Sequence, residues 1–130
     1  MKCEQVAGAA YEAGIKALKP GLAFADLVAA MEEPLKSAGS WGYTPLVHSL
    51  GPHFLMGRTT VNQDQAKLDI RFAGPNAARP RPAVLQPGMV LAFEPNACLG
   101  RHRVNLGGTV LVTPSGCEAL NEIPTRVTHK

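Results

Sequence analysis

The chain has 130 residues, of which 45% are hydrophobic, and a formal net charge of +3 at pH 7. This length suits one domain, residues 1–130, with a real hydrophobic core. The basic residues are scattered and the net charge is small, so we expect no nucleic-acid partner. Lys2, Glu4 and Gln5 interrupt the first residues, and no apolar run approaches membrane-spanning length. We therefore expect neither a secreted nor a membrane protein.

The cysteines are Cys3, Cys98 and Cys117. They are odd in number and lack the spacing of metal ligands, which favours reduced thiols and a cytoplasmic location over a disulfide framework. Neither Cys98 nor Cys117 has a histidine base in its sequence context, so we do not expect thiol catalysis.

Two helices are predicted in the first third of the chain. Apolar residues recur at helical spacing from Cys3 to Leu18, where Lys19-Pro20-Gly21 ends the pattern. A second apolar stripe runs from Phe24 to Ala38. Pro34 removes a backbone hydrogen bond, which costs about 3 kcal/mol in a helix interior. We therefore expect the second helix to kink or break near Glu33.

The middle of the chain predicts a strand within residues 42–51, centred on residues 45–50. The following segment, residues 56–86, has no sustained period and predicts a long loop, with one strand-like piece at Leu68 to Phe72. Loops of this length are usually functional or mobile.

The last part of the chain has clear alternation. Apolar and other residues alternate from Met89 to Glu94 and again from Val104 to Val112. The simplest arrangement is two antiparallel strands joined by a loop at residues 96–102. With the two helices, this predicts the α+β class.

Glu94 is the one carboxylate at the end of an otherwise apolar strand. Burying an ionised carboxylate is costly unless a cation or several donors meet it. Glu94 therefore binds a metal, closes a polar network or lies at a solvated strand end.

The sequence around Glu94 matches a known pattern. Pro87-Gly88-Met89 leads through an apolar strand to Glu94-Pro95, and residues 104–113 then carry Thr-Val and Val-Thr before the turn at Gly116. This pattern resembles the pita-bread metallopeptidases, the family of methionine aminopeptidases, prolidases, Xaa-Pro aminopeptidases and creatinases. The resemblance covers nearly the whole chain but only the second half of the family's catalytic module. It implies two N-terminal helices packed on an antiparallel sheet.

The resemblance also implies a site with two divalent metal ions, held by two aspartates from the first half and by one histidine and two glutamates from the second. Such a site activates water for attack on a peptide carbonyl. His48 matches the histidine and Glu94 the first glutamate. The second glutamate falls on Gly107, and the two aspartates have no counterpart. The family's substrate-contacting histidine falls on Leu55, so His53, two residues earlier, is the candidate catalytic residue.

Two metal ligands, His48 and Glu94, are fewer than the three of a typical catalytic zinc site. We therefore expect no metal cofactor in the monomer, where these residues form a hydrogen-bonded pair. Alternatively, two chains pair about a two-fold axis, and two copies of His48 and Glu94 form a four-ligand site for manganese, cobalt or zinc.

The sequence thus predicts a homodimeric Xaa-Pro-peptidase-like metallohydrolase domain that is truncated and inactive as a peptidase on its own. The alternative is a non-catalytic homodimeric module that binds a peptide, a small molecule or a protein. An active dinuclear peptidase would need three ligands that the sequence lacks. His102, between Arg101 and Arg103, either contacts an anionic substrate group or belongs to a solvated surface.

Overall fold

The computed structural model describes residues 2–41, 45–51, 55–57 and 83–122. Two helices precede the strands: α1 (Lys2–Ala17) and α2 (Phe24–Ser37). The strands are β1 (Val47–Ser49), β2 (Met56–Gly57), β3 (Val90–Phe93), β4 (Asn96–Leu99), β5 (His102–Asn105), β6 (Gly108–Thr113) and β7 (Gly116–Ala119).

The helices form where the apolar spacing predicts them. Positions three and four apart share one helix face, and this face is buried in both helices. In α1 the buried residues are Cys3, Ala7, Ala10, Tyr11 and Gly14. In α2 they are Phe24, Leu27, Met31 and Leu35. The two helices also pack against each other.

Pro34 does not break α2, which continues to Ser37. The proline lies in the last turn, so it interrupts the hydrogen-bond ladder close to its end. The N–H of Ala38 still donates to the Pro34 carbonyl at 3.2 Å. The expected break near Glu33 is therefore wrong.

Within the described residues, the larger sheet has five antiparallel strands in the order β2-β1-β3-β6-β7. Alternation along each strand gives the sheet two distinct faces. The face toward the helices is fully buried at its centre and carries Val47, Leu91, Phe93, Val110 and Val112. The opposite face, which we call the outer face, carries His48, Ala92, Glu94 and Thr109. The helices-on-antiparallel-sheet arrangement predicted from the sequence is confirmed.

Residues 96–102 are not a simple loop. They contribute to a second, two-stranded sheet in which β4 pairs with β5. Leu99 pairs with His102, so the turn consists of two residues, and its Gly100 has a φ of 59°. A two-residue hairpin turn needs positive φ, which glycine adopts without strain. The predicted strand from Val104 to Val112 is accordingly divided between β5 and β6.

The predicted long loop is also shorter at both ends than expected. Met56 and Gly57 form β2, which pairs with β1. Residues 83–85 run beside residues 21–24, and Leu85 is buried. The strand-like piece at Leu68 to Phe72 lies outside the described residues. No helix in the described part of the chain is long and apolar enough to cross a membrane.

Candidate metal-binding site on the outer face

The structure brings His48 and Glu94 together on the outer face. His48 pairs with Ala92 across β1 and β3, and Glu94 lies two residues further along β3 on the same face. The Glu94 N–H donates to the Leu46 carbonyl at 2.8 Å, which continues the ladder past the last strand residue. His48 and Glu94 are thus diagonal neighbours, a spacing that long side chains can bridge. Their Nε2 and Oε2 atoms lie 3.3 Å apart.

The pair is only half-buried: the side chains of His48 and Glu94 retain 26% and 35% of their exposure. Water therefore reaches the carboxylate, and the desolvation cost that a fully buried Glu94 would incur is largely avoided. The sequence left three explanations for Glu94: a bound metal, a polar network or a solvated strand end. The described structure shows both a polar partner for Glu94 and a partly solvated strand end.

The second ring nitrogen of His48 indicates which atom faces Glu94. Nδ1 lies 3.2 Å from the Ser49 carbonyl oxygen, which can only accept a hydrogen bond. In that hydrogen bond Nδ1 carries the proton, and the lone pair of a neutral ring lies on Nε2. The contact between His48 Nε2 and Glu94 Oε2 is then attractive when Nε2 also carries a proton, or when a cation lies between these two atoms. Histidine ligands of metals commonly donate their other N–H to a backbone carbonyl in this way.

His48 and Glu94 fit one cation as two of its ligands but do not make a complete site. Two ligand atoms each about 2.1 Å from a metal lie about 3.0–3.4 Å apart, which agrees with the observed separation. A tight site needs at least a third protein ligand. Among residues 2–41, 45–51, 55–57 and 83–122, no group of three or more His, Cys, Asp or Glu side chains could hold a metal ion. The dinuclear centre implied by the resemblance is not supported by the described residues.

Gly107 is the cross-strand neighbour of Glu94. Phe93 of β3 pairs with Gly108 of β6, and Asn96 of β4 pairs with Asn105 of β5. The two chain segments therefore keep the same register across the residues between these pairs, 94–95 and 106–107. This register places Gly107 directly opposite Glu94. The resemblance assigns the second family glutamate to Gly107, and this assignment stays a prediction.

The remaining candidate residues are less informative. Leu55 is buried, and its backbone pairs with Ser49 through the Ser49 hydroxyl and backbone N–H. His53 lies outside the described residues, so its catalytic role stays a prediction. His102 is exposed near the hairpin turn, far along the strand from Glu94.

A polar cluster on β4 was not found from the sequence. The buried side chain of Asn96 accepts hydrogen bonds from Arg103 Nε at 2.9 Å and from Cys98 Sγ at 3.4 Å. The Cys98 N–H donates to the hydroxyl of buried Ser40 at 2.9 Å. The contacts of Asn96 stabilise the hairpin itself, and the Ser40–Cys98 contact fixes the hairpin to the segment after α2, so the cluster has a structural role. No short motif signals the Ser40–Cys98 contact, because these residues lie far apart in the chain.

The three cysteines are free thiols. Burial raises the pKa of Cys98, and the Arg103 guanidinium opposes this only in part. Burial also raises the pKa of Cys117. Thiols whose pKa is raised are poor nucleophiles at neutral pH, which agrees with the expectation that neither residue is catalytic.

Two helices packed on an antiparallel sheet are the pita-bread fold of the solved structures that this chain resembles. The chain belongs to metallopeptidase family M24, whose family model matches residues 2–114. No curated protein sequence is significantly similar to it.

Solved structures with similar folds include peptidases from three organisms. The dipeptidase PepE from Mycobacterium ulcerans is 22% identical, with a TM-score of 0.66, and the match covers 97% of this chain and 30% of that one. The prolidase from Pyrococcus furiosus is 21% identical, with a TM-score of 0.68 and coverages of 95% and 32%. The methionine aminopeptidase from Rickettsia prowazekii is 16% identical, with a TM-score of 0.63 and coverages of 91% and 50%. The chain thus spans at most half the length of these proteins.

Proposed function

We propose that residues 1–130 form one Xaa-Pro-peptidase-like domain of family M24 that has no peptidase activity on its own. The observation that carries this proposal is Gly107 opposite Glu94. A partner segment that supplied the family's two aspartates would still meet a half-module with one glutamate instead of two. The proposal therefore depends on the residues of this chain and not on where the chain begins.

Supporting this proposal, the described residues hold one histidine and one carboxylate in a geometry that suits a cation, with no third ligand beside them. A metal ion bound in a complete site would polarise the substrate carbonyl and lower the pKa of bound water. What this chain's own side chains do is narrower. The Ser49 carbonyl orients the imidazole of His48, and the imidazole lies within contact distance of the Glu94 carboxylate.

The test is a peptidase assay of the purified domain. Xaa-Pro dipeptides and peptides beginning with Xaa-Pro or Met are incubated with the domain and with manganese, cobalt or zinc. The proposal predicts no turnover above the Glu94→Ala variant, which cannot hold a metal through that carboxylate. Turnover by the wild type that Glu94→Ala abolishes would overturn it.

A second candidate function is a non-catalytic homodimeric module that binds a peptide, a small molecule or a protein through the outer face. It is favoured by large exposed apolar side chains on that face: Leu50 and Leu120 keep 53% and 47% of their exposure. They flank Val90, Ala92 and Leu111, which alternation also places on the outer face. Apolar surface of this kind commonly marks an interaction site.

Sedimentation tests this second function. Leu50→Asp and Leu120→Asp should convert a dimer to monomer, whereas Val84→Asp, at an equally exposed position beside Ala23, should not. A wild type that stays monomeric at high concentration contradicts the homodimer. If the dimer forms and two copies of His48 and Glu94 rebuild a metal site, it should retain one manganese, cobalt or zinc ion per two chains.

The free thiols further support a proposed cytoplasmic location.

A further inference from the structure

The outer face of the larger sheet carries apolar side chains in two neighbouring rows. The strand register places Leu50, Val90 and Leu111 side by side in one row. Ala92 and Leu120 lie in the next row, each beside the same residue of β6. Leu50 and Leu120 keep 53% and 47% of their exposure, and the other three side chains are partly exposed. We call these five residues the outer patch.

Acidic side chains border the outer patch. Glu118 is exposed and pairs with Leu111 on the β7 side, and Glu94 follows Ala92 by two residues on β3. With strands about 4.8 Å apart and a rise of about 3.4 Å per residue, the Cα atoms of the two glutamates lie roughly 17 Å apart. No lysine or arginine of the described ranges lies on this face. They belong to the helices, to the turn between the helices or to the β4–β5 hairpin: Lys2, Lys16, Lys19, Lys36, Arg101 and Arg103.

The face of a sheet and its edge bind different partners. An extended peptide binds at an edge, where the backbones of peptide and strand form hydrogen bonds. A face offers side chains only, so a segment bound there must satisfy its backbone N–H and C=O groups internally, as an α-helix does.

The charge of the outer face favours a basic partner over a second copy of this chain. Two outer faces in contact would bring the carboxylates of Glu94 and Glu118 near those of the other copy, and like charges oppose association. Basic side chains would instead complement these carboxylates, while apolar side chains cover Leu50 and Leu120.

We propose that the outer patch binds an amphipathic α-helix of a partner protein, whose apolar stripe covers the patch and whose basic residues reach Glu94 and Glu118. Helical residues about eleven positions apart lie roughly 17 Å apart on the same side of the helix, which matches the spacing of the two glutamates. The proposal rests on the second proposed function, binding through the outer face, and names the chemistry of the partner.

The test uses a fluorescently labelled helical peptide that has an apolar stripe and two lysines eleven positions apart. One control peptide carries glutamate in place of both lysines. A second control has the same composition but places the lysines nine positions apart, on opposite sides of the helix. Fluorescence anisotropy with the purified domain gives the dissociation constants. We expect the first peptide to bind at least about tenfold more tightly than the glutamate peptide, and addition of salt should reduce this difference.

Variants of the domain locate the binding site. Leu50→Asp should weaken binding of the first peptide at least about tenfold, whereas Val84→Asp, at an equally exposed position away from the outer face, should not change it. Glu118→Gln should weaken binding about two- to fivefold. Glu94→Gln should have a smaller effect, because Glu94 already contacts His48.

Three results would overturn the proposal: equal affinity for the lysine and glutamate peptides, no binding of either, or equal losses from Leu50→Asp and Val84→Asp. A wild-type dimer that Leu50→Asp dissociates would also overturn it, because a second copy would then cover the outer patch. Cleavage of the bound lysine peptide would contradict the proposed lack of peptidase activity and would still support binding at the patch.

Discussion

His48 and Glu94 meet across β1 and β3 with 3.3 Å between Nε2 and Oε2, and both side chains remain partly exposed. They are two of the five ligands that the family resemblance implies. Partly exposed ion pairs contribute little to stability, so their proximity here does not imply a structural requirement. The pair can therefore be removed in order to test its function without unfolding the domain.

Replacing either member of this pair should change stability only slightly. We expect His48→Ala and Glu94→Ala each to lower the free energy of unfolding by less than about 1 kcal/mol. Urea denaturation followed by Trp41 fluorescence measures this, and the double variant gives the coupling energy. A loss of about 3 kcal/mol or more from either single change would show that the pair is a structural element.

Tyr11→Phe should leave the fold as stable or make it more stable. The hydroxyl of Tyr11 is buried and has no hydrogen-bond partner among the described residues. Burial, and to a lesser extent nearby Cys117, raises the pKa of Tyr11. An unpaired buried hydroxyl costs about 1–3 kcal/mol, and phenylalanine removes it while keeping the edge-to-face contact with Phe93. A marked fall in the denaturation midpoint would show that the hydroxyl has a partner.

Two adjacent glycines should respond differently to alanine. At Gly108 the new Cβ would press on the Tyr11 ring and hydroxyl, so Gly108→Ala should destabilise the domain by about 1–3 kcal/mol. Gly107→Ala is the matched control, since the space there is open, and it should cost less than about 0.5 kcal/mol. Equal losses from the two changes in thermal unfolding would contradict the described packing of α1 on β6.

The domain should lose stability in alkaline solution. Burial raises the pKa of Cys98 from the ordinary value of a thiol, so the native state holds this proton more tightly than the unfolded chain does. The contribution is complete below the unfolded pKa and is lost as pH rises through the folded value. Cys98→Ala should therefore reduce the decline in stability above about pH 9. Identical slopes for wild type and variant in denaturation at pH 8–10 would contradict this account.

Much of the fold could be predicted from local patterns. The apolar stripes of α1 and α2 are long and regular, and the alternation around Leu91 and Val110 identifies the central strands. The β4–β5 hairpin was missed because Cys98 and Ala97 are both buried, so alternation fails there. Trp41 forms an isolated β-bridge with Cys98 of β4, and α1 also packs against β4. Such long-range contacts leave no period in the sequence.

The candidate site at His48 and Glu94 could be predicted from the sequence less completely than the fold. The family pattern predicted ligand positions at His48, Glu94 and Gly107. The structure places His48 beside Glu94 and Gly107 opposite it, and their role in metal binding stays a prediction. The sequence did not reveal the contact between His48 Nδ1 and the Ser49 carbonyl, because it depends on ring orientation. It also did not show whether glycine is required at residue 107, which depends on the space around the backbone.

The most direct measurement of the central claim is the metal-to-chain ratio by mass spectrometry, after incubation with manganese, cobalt or zinc and removal of free ion. Wild type and Glu94→Ala are compared under the same conditions. An incomplete site predicts no stoichiometric metal in either protein. One metal per chain in the wild type, lost in Glu94→Ala, would contradict the claim and show that the domain completes a site by itself. One metal per two chains, also lost in Glu94→Ala, would contradict it in favour of a site rebuilt across a dimer.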